Sequence, residues 1–244
     1  MMDYTKSYAS TQKSFDQGLR DYMLKVYNYM AIGLLITGLA AFATIATPIR
    51  DIMFSFDSMG GFAGNTMLGM LVMIAPVLIA MYFFLGFGSI DFNTARFLFW
   101  FYSILTGMSL SSLGFMYTGD SIASTFFVCS SVFGAMSLYG YTTKRDLTSM
   151  GSFLVMGVFG LIIASVINIF MKSSALYFAT SLIGVVIFMG LIAWDTQKLK
   201  SHYYSVGDSE MRQKMSVLGA FVLYLDFINL FLYLLRFFGA PKKN

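Results

Sequence analysis

The stretch LYLDFINLFLYLLRFFG, residues Leu223–Gly239, decides the fold, because a single carboxylate, Asp226, stands inside an apolar run that is long enough for a helix. A helix needs roughly 20 mostly apolar residues to cross a bilayer, and this run reaches that length with the residues before it. An aspartate at the centre of such a helix costs about 2.5 to 3.5 kcal/mol, so it usually faces a bundle interior or a water-filled path. The stretch therefore predicts a membrane helix that packs against other helices.

Composition extends this prediction to the whole chain. The 244 residues are 57% hydrophobic and 11% charged, and the mean hydropathy is +0.71. A soluble domain carries about 25% charged residues, so the values indicate an integral membrane protein, with the lipid bilayer as its surroundings. The net charge of +4 is small and the basic residues lie between apolar runs, which favours membrane orientation over binding of nucleic acid.

Seven apolar runs have the length of a spanning helix, and the short segment MKSS after the fifth predicts an antiparallel hairpin. The sequence thus predicts an all-α fold, a membrane bundle of seven transmembrane helices with the last helix central. The predicted organisation is a polar cytosolic N-terminal segment (1–26), a seven-helix transmembrane domain (27–239) and a short polar tail (240–244), with a loop at about 195–216. The predicted spans are approximately Tyr27–Thr47, Met67–Phe87, Phe97–Tyr117, Ile122–Tyr141, Ser152–Met171, Ala175–Trp194 and Val217–Phe238.

Lysine and arginine predict the orientation. With the N-terminus in the cytosol, 11 of these residues lie on the inside and 5 on the outside. Cytosolic segments carry the excess of basic residues, so the bias favours an N-terminus inside and a C-terminus outside. We expect a multi-pass protein of the cell inner (plasma) membrane.

Candidate site residues cluster on the last two spans. Asp195 closes the sixth predicted span, and Asp226 lies near mid-depth in the seventh, where Asn229, Tyr233 and Arg236 fall on the same side of the helix. This polar stripe is a possible pore or hydrogen-bonded network. Asp226 could also be a structural hydrogen-bonding residue, and Asp195 an ordinary interface residue. Arg236 could form a gating ion pair or anchor the helix end at the membrane surface.

Familiar enzyme signatures do not occur in the sequence. His202 is the only histidine, and no HExxH, CxxC or phosphate-binding glycine loop is found. We expect no enzymatic activity and no cofactor.

Three motifs together resemble the Bax inhibitor-1 (transmembrane Bax-inhibitor-motif) family in its bacterial branch. They are GAMSLYGYTTKRDLTSMGSFL (Gly134–Leu154), IAWDTQKLK (Ile192–Lys200) and the opening stretch at Leu223–Gly239. The likeness extends over about the whole chain from the first span onward. In that family a basic residue on the second span can contact the first of two aspartates, whereas the second span here carries no charged residue.

The resemblance implies a pH-sensitive calcium leak channel, in which aspartates at the positions of Asp195 and Asp226 share a proton, gate the pore and bind calcium in passing. Calcium and protons would then be the partners, with calcium as the permeant ion. A protein that binds and modulates another membrane protein, such as a protease, is the alternative. A proton-coupled transporter is a third, although the seven spans show no convincing internal repeat.

Overall fold

Helices account for most of the chain in the computed structural model, which describes residues 2–206 and 208–242, with side chains from residue 17 onward. Seven of the helices in this part are long and apolar enough to cross a membrane. The all-α prediction and the seven spans are thereby confirmed. The elements are α1 (Met2–Ala46), α2 (Ile49–Met53), β1 (Phe54–Phe56), β2 (Phe62–Asn65), α3 (Met67–Gly86), α4 (Phe92–Leu110), α5 (Leu113–Met116), α6 (Gly119–Thr142), α7 (Thr148–Met171), α8 (Ser174–Ser205) and α9 (Ser209–Phe238).

Side-chain caps mark where several spanning helices begin. The hydroxyl of Thr66 accepts a hydrogen bond from the backbone N–H of Gly69 at the start of α3, and Asp208 accepts one from Met211 at the start of α9. Such caps satisfy backbone donors that the first turn leaves free. The α7–α8 connection is the predicted antiparallel hairpin, and Lys172 at the end of α7 has a left-handed backbone with φ of 50°.

Two helices continue beyond the predicted spans. Helix α1 runs without interruption from Met2 to Ala46, so the N-terminal segment and the first span form one helix. The predicted loop at 195–216 is wrong, because α8 continues to Ser205 and α9 begins at Ser209. Charged residues ended the apolar run there, yet Leu199 and Tyr203, spaced for one helical face, are buried and keep α8 helical beyond the apolar stretch.

A small β-hairpin, which the sequence interpretation missed, joins the first two spans. Strand β1 pairs with β2 in antiparallel register. The Asp57 carboxylate accepts hydrogen bonds from the backbone N–H groups of Met59 and Gly61, and Gly60 takes the positive φ of 82° that favours glycine. Phe115 stacks on Phe62, so the hairpin is held against the turn that follows α4.

Helix α9 lies at the centre of the bundle. Over the most apolar stretch of α9, 61% of the residues are buried, compared with 39% over that of α8 and 11% over that of α7. Phe221 packs against Phe83 of α3 and Tyr102 of α4, and Phe227 packs against Phe133 of α6. The predicted central position of the last helix follows from these contacts, and it places Asp226 away from lipid.

Candidate functional site

Asp195 and Asp226 are neighbours in the middle of the bundle. Only 8% of Asp195 and 5% of Asp226 is exposed. The two carboxyl groups face each other across the α8–α9 interface, near enough to interact electrostatically. The apolar run ends next to Asp195 in the sequence, but the continuation of α8 buries this residue. Sequence reasoning brought the pair together only through the family resemblance, and the structure places the two side chains side by side.

The chemistry of this pair depends on a proton. An ionised carboxylate can only accept hydrogen bonds, so a bond between two carboxyl groups needs one of them to be protonated. Oδ2 of Asp226 is buried without a hydrogen-bond partner among the described atoms. A hydrogen bond within the pair therefore depends on a proton, and Oδ2 of Asp226 is an acceptor that no other described residue uses.

Few other charges act on the pair. Among the described residues, Lys198, one turn further along α8, is the positive charge that acts on Asp195, and Asp195 is the charged neighbour that acts on Asp226. The ammonium group of Lys198 lies over the Trp194 ring, 4.8 Å from its centroid. The pair is therefore not neutralised by a direct ion pair within the described residues.

Asn229 and Tyr233 lie on the same helix as Asp226 but make other contacts. The Asn229 side chain donates to the backbone carbonyl of Leu225 at 2.8 Å. The Tyr233 ring stacks on Phe188 of α8 and fills the space beside Gly184, where an added Cβ would collide with it. The Tyr233 contacts tie α9 to α8 further along the helix from the carboxyl pair, whereas the Asn229 hydrogen bond stays within α9. A pore role for both residues stays a prediction.

Arg236 is exposed near the end of α9. Its guanidinium group lies 5.3 Å from the ring centroid of Tyr233 and 5.8 Å from that of Tyr177. No carboxylate within the described residues forms an ion pair with it. Stacking of an arginine on aromatic rings at a helix end is the arrangement expected of an interfacial anchor.

The loop between α6 and α7 is fastened to α8 close to Asp195. Gln197, two residues after Asp195, accepts a hydrogen bond from the Leu147 N–H at 2.8 Å and donates one to the Arg145 carbonyl at 2.7 Å. Two of the motifs that carried the resemblance, around residues 134–154 and 192–200, thus meet in space. This contact fixes the part of α8 that carries the carboxyl pair.

Two buried polar features, a hydroxyl cluster around Tyr224 and the side chain of Lys214, were not predicted from the sequence. The hydroxyl of Tyr224 lies 2.6 Å from that of Thr37, and Thr37 also donates toward the Ser103 carbonyl, so a hydroxyl cluster joins α1, α4 and α9. Lys214 is 7% exposed, with its ammonium 3.4 Å from the Gly88 carbonyl and over the Phe87 ring. Both depend on partners far away in the chain, so no local pattern could have indicated them.

Oxygen ligands for a cation are few at the pair. The described residues contain no cluster of three or more histidine, cysteine or acidic side chains. Calcium usually takes six to eight oxygen ligands, so Asp195 and Asp226 alone would hold it weakly. Weak binding is what a permeating ion requires, because it must also leave.

These features define a class: an α-helical, multi-pass membrane protein with a carboxyl pair buried between its last two helices. A family model described as inhibitor of apoptosis-promoting Bax1 matches residues 19–243, and the chain belongs to this Bax inhibitor-1 family. It is 63% identical to the protein RP147 of Rickettsia prowazekii, over 99% of this chain and 100% of that relative. It is 43% identical to the inner membrane protein YbhL of Escherichia coli K12, over 92% and 94%. The protein is accordingly a multi-pass protein of the inner membrane.

Proposed function

We propose that the protein is a pH-sensitive calcium leak channel that the Asp195–Asp226 pair gates. The observation that supports this proposal is the contact between two buried carboxyl groups at the centre of a membrane bundle. Membrane-embedded carboxylates that face a bundle interior usually mark ion or proton pathways.

The gating follows from the charge of the pair. Two adjacent carboxyl groups cannot both ionise at low cost, so they titrate as a unit and hold one proton between them. While the proton is shared, it joins α8 to α9 and keeps the path closed. When the proton leaves as the pH rises, the charge of the pair doubles, the two helices repel each other, and a divalent cation is attracted to the opening.

The two aspartates have different expected roles. Asp226 is the more deeply buried, so its charge would line the path that calcium takes. Asp195 lies nearer the end of the bundle that carries Lys198, and its contact with Asp226 closes the path. Asp226→Asn should therefore lower calcium flux, whereas Asp195→Asn should weaken closure and leave a leak at low pH.

Purified protein in liposomes that contain a calcium dye tests this proposal across a pH series. We expect the wild-type flux to rise with pH, Asp226→Asn to reduce the flux and its pH dependence, and Asp195→Asn to flatten the pH response. Asp91→Asn is the matched control, because Asp91 is an exposed capping aspartate at the start of α4 and asparagine caps equally well.

Folding of each variant is checked by thermal unfolding before the flux is measured. Folded variants that give the wild-type flux at every pH would contradict the gating role of the aspartates. Wild-type protein that conducts nothing at any pH would contradict the channel itself and would leave the modulation of another membrane protein as the function to test.

A further inference from the structure

A cavity of about 500 Å³ opens between α1 and α6. Its size is in the range of small-molecule sites, which are roughly 300 to 1,000 Å³. The two helices meet beside it through the hydroxyls of Tyr27 and Ser137, which are 2.6 Å apart. Behind this bridge Ser137 contacts the buried Thr196 of α8 at 3.1 Å. The cavity thus has a hydrogen-bonded back wall, and its lining residues Leu24 and Leu138 are exposed on the surface of the bundle.

The walls of the cavity are apolar, and one end is positively charged. Leu24 and Leu138 line its sides, and Arg20 lines the end nearest the N-terminus. Arg20 precedes Tyr27 by seven residues, which is about 10 Å along a helix. Arg20 is exposed, and no acidic side chain within the described residues forms an ion pair with it. Within the described residues, a cation without a paired carboxylate therefore lies at the mouth of an apolar cavity.

A second cation, Lys200, contacts Tyr141 in the wall of the same cavity. Lys200 of α8 donates to the Tyr141 carbonyl at 3.0 Å, and its ammonium lies 5.2 Å from the Tyr141 ring centroid. Tyr141 lines the cavity. Lys200 thus adds positive charge behind the cavity and holds one of its aromatic walls.

Gly134 keeps the cavity open. A Cβ added at Gly134 would meet nothing within 4 Å. Six residues further along α6, a Cβ at Gly140 would collide with the backbone of Ala193. Gly140 is needed for the close packing of α6 against α8, whereas Gly134 lines the cavity and faces its open space.

We infer that this cavity binds an anionic phospholipid of the cytosolic leaflet, with its phosphate on Arg20 and one acyl chain between α1 and α6. Arginine suits this occupant because its planar donors match phosphate oxygens. Basic pockets between spanning helices on the cytosolic side are suited to acidic headgroups. The apolar walls accept the chain, and the exposure of Leu24 and Leu138 lets the lipid enter from the bilayer. This site requires no channel activity.

Delipidated protein in detergent tests this inference with dioleoyl phosphatidylglycerol, dioleoyl phosphatidylcholine and chain-free glycerol phosphate. Thermal unfolding gives the concentration of each that stabilises the protein half-maximally, and native mass spectrometry counts the lipid retained. For one favourable charge we expect phosphatidylglycerol to act at about fivefold lower concentration than phosphatidylcholine. Glycerol phosphate should give no stabilisation, because it lacks the chain.

Substitutions in the cavity test whether the lipid that stabilises the protein binds there. Arg20→Gln should remove the preference for phosphatidylglycerol, and Gly134→Leu should weaken the binding of both lipids. Gly160→Leu is the matched control, since Gly160 is an exposed glycine on α7 that also has open space around its Cβ position. It should behave as the wild type does.

Three results would overturn the inference. The first is equal action of the two lipids on the wild type, which would mean a nonspecific bilayer lipid. The second is stabilisation by glycerol phosphate as strong as by phosphatidylglycerol, which would mean a free phosphate site. The third is an unchanged lipid preference in Arg20→Gln, whose exposed side chain can be changed without disturbing the core.

Discussion

At the scale of single residues, Asp226 combines burial with an unused acceptor. Its Oδ2 atom has no partner among the described atoms, and a buried polar group without a hydrogen bond costs about 1 to 3 kcal/mol. The protein carries this cost at the point where the two last helices touch. A residue selected for stability alone would be apolar here, so the cost itself argues for a role in function.

Substitutions at Asp226 separate charge from shape. Asp226→Asn keeps the size and can donate to Asp195, so we expect a thermal unfolding midpoint equal to or above that of the wild type. Asp226→Leu leaves Asp195 buried without its partner, and we expect destabilisation of about 1 to 3 kcal/mol. Unfolding of both variants in the same detergent measures the difference. A larger loss in Asp226→Asn than in Asp226→Leu would contradict the proton-sharing contact.

At the scale of elements, helix packing near the carboxyl pair depends on small residues. At Gly140 of α6 a side chain would collide with the carbonyl oxygen of Ala193, two residues before Asp195. Small residues let the backbones of membrane helices approach closely. The distance between α6 and α8 therefore helps to fix the position of Asp195.

Gly140→Ala should push α6 away from α8. Overpacking of this kind usually costs about 1 to 3 kcal/mol, because a backbone atom cannot move aside as a flexible side chain can. Gly160→Ala, with nothing within 4 Å of the added Cβ, is the control and should be neutral or slightly stabilising. Thermal unfolding compares the two, and equal midpoints would show that the close approach of α6 to α8 is dispensable.

The start of α4 should respond to acid. Hydrogen bonds from the Thr94 hydroxyl and the Asn93 N–H hold the pKa of the Asp91 carboxyl below its ordinary value. A lowered pKa in the folded state means that the ionised cap stabilises the helix start above the ordinary value near 3.8, and that this contribution is lost as the pH falls through the lowered pKa. Hydrogen exchange at residues 93–95, corrected for its intrinsic pH dependence, should show this loss of protection.

Two variants isolate the charge of the cap. Asp91→Asn keeps the acceptor and should protect these amides equally at every pH, whereas Asp91→Ala should weaken protection throughout. A pH response in Asp91→Asn as large as in the wild type would assign the effect to another group.

The bounds of a helix could be predicted from the sequence where hydropathy sets them. They were predicted less well where contacts with distant residues set them. Length and hydropathy gave the cores of the spanning helices, such as α3 at Met67–Gly86 against a predicted Met67–Phe87. The end of α8 was missed because buried Leu199 and Tyr203, and not hydropathy, keep it helical. The contact between Asp195 and Asp226 could be inferred only from the family resemblance, since no local pattern relates residues 31 positions apart.

At the scale of the whole molecule, the segment after α9 is fixed relative to the turn between α4 and α6. The backbone of Thr118 donates to the Ala240 carbonyl at 3.1 Å, and Lys242 donates to the Met116 carbonyl at 2.9 Å. The tail after α9 therefore lies on the same side as the turn between α4 and α6. An odd number of spans then requires the start of α1 to lie on the opposite side, and the basic bias assigns that side to the cytosol.

Cysteine labelling tests this orientation, because Cys129 is the only cysteine and is buried in the bundle. In a Cys129→Ala background, single cysteines at Ser58 in the β-hairpin and at Lys242 in the tail should react with a membrane-impermeant maleimide on intact spheroplasts. A cysteine at Thr143, in the α6–α7 loop, should react only after permeabilisation.

Labelling of all three positions after permeabilisation confirms that each is accessible. Protection of Lys242→Cys together with labelling of Ser58→Cys in intact spheroplasts would place the tail on the opposite side from the β-hairpin and contradict the seven-span arrangement. The opposite pattern, with Thr143→Cys alone labelled from outside, would keep the fold and invert the orientation, and it would move the Arg20 cavity to the outer leaflet.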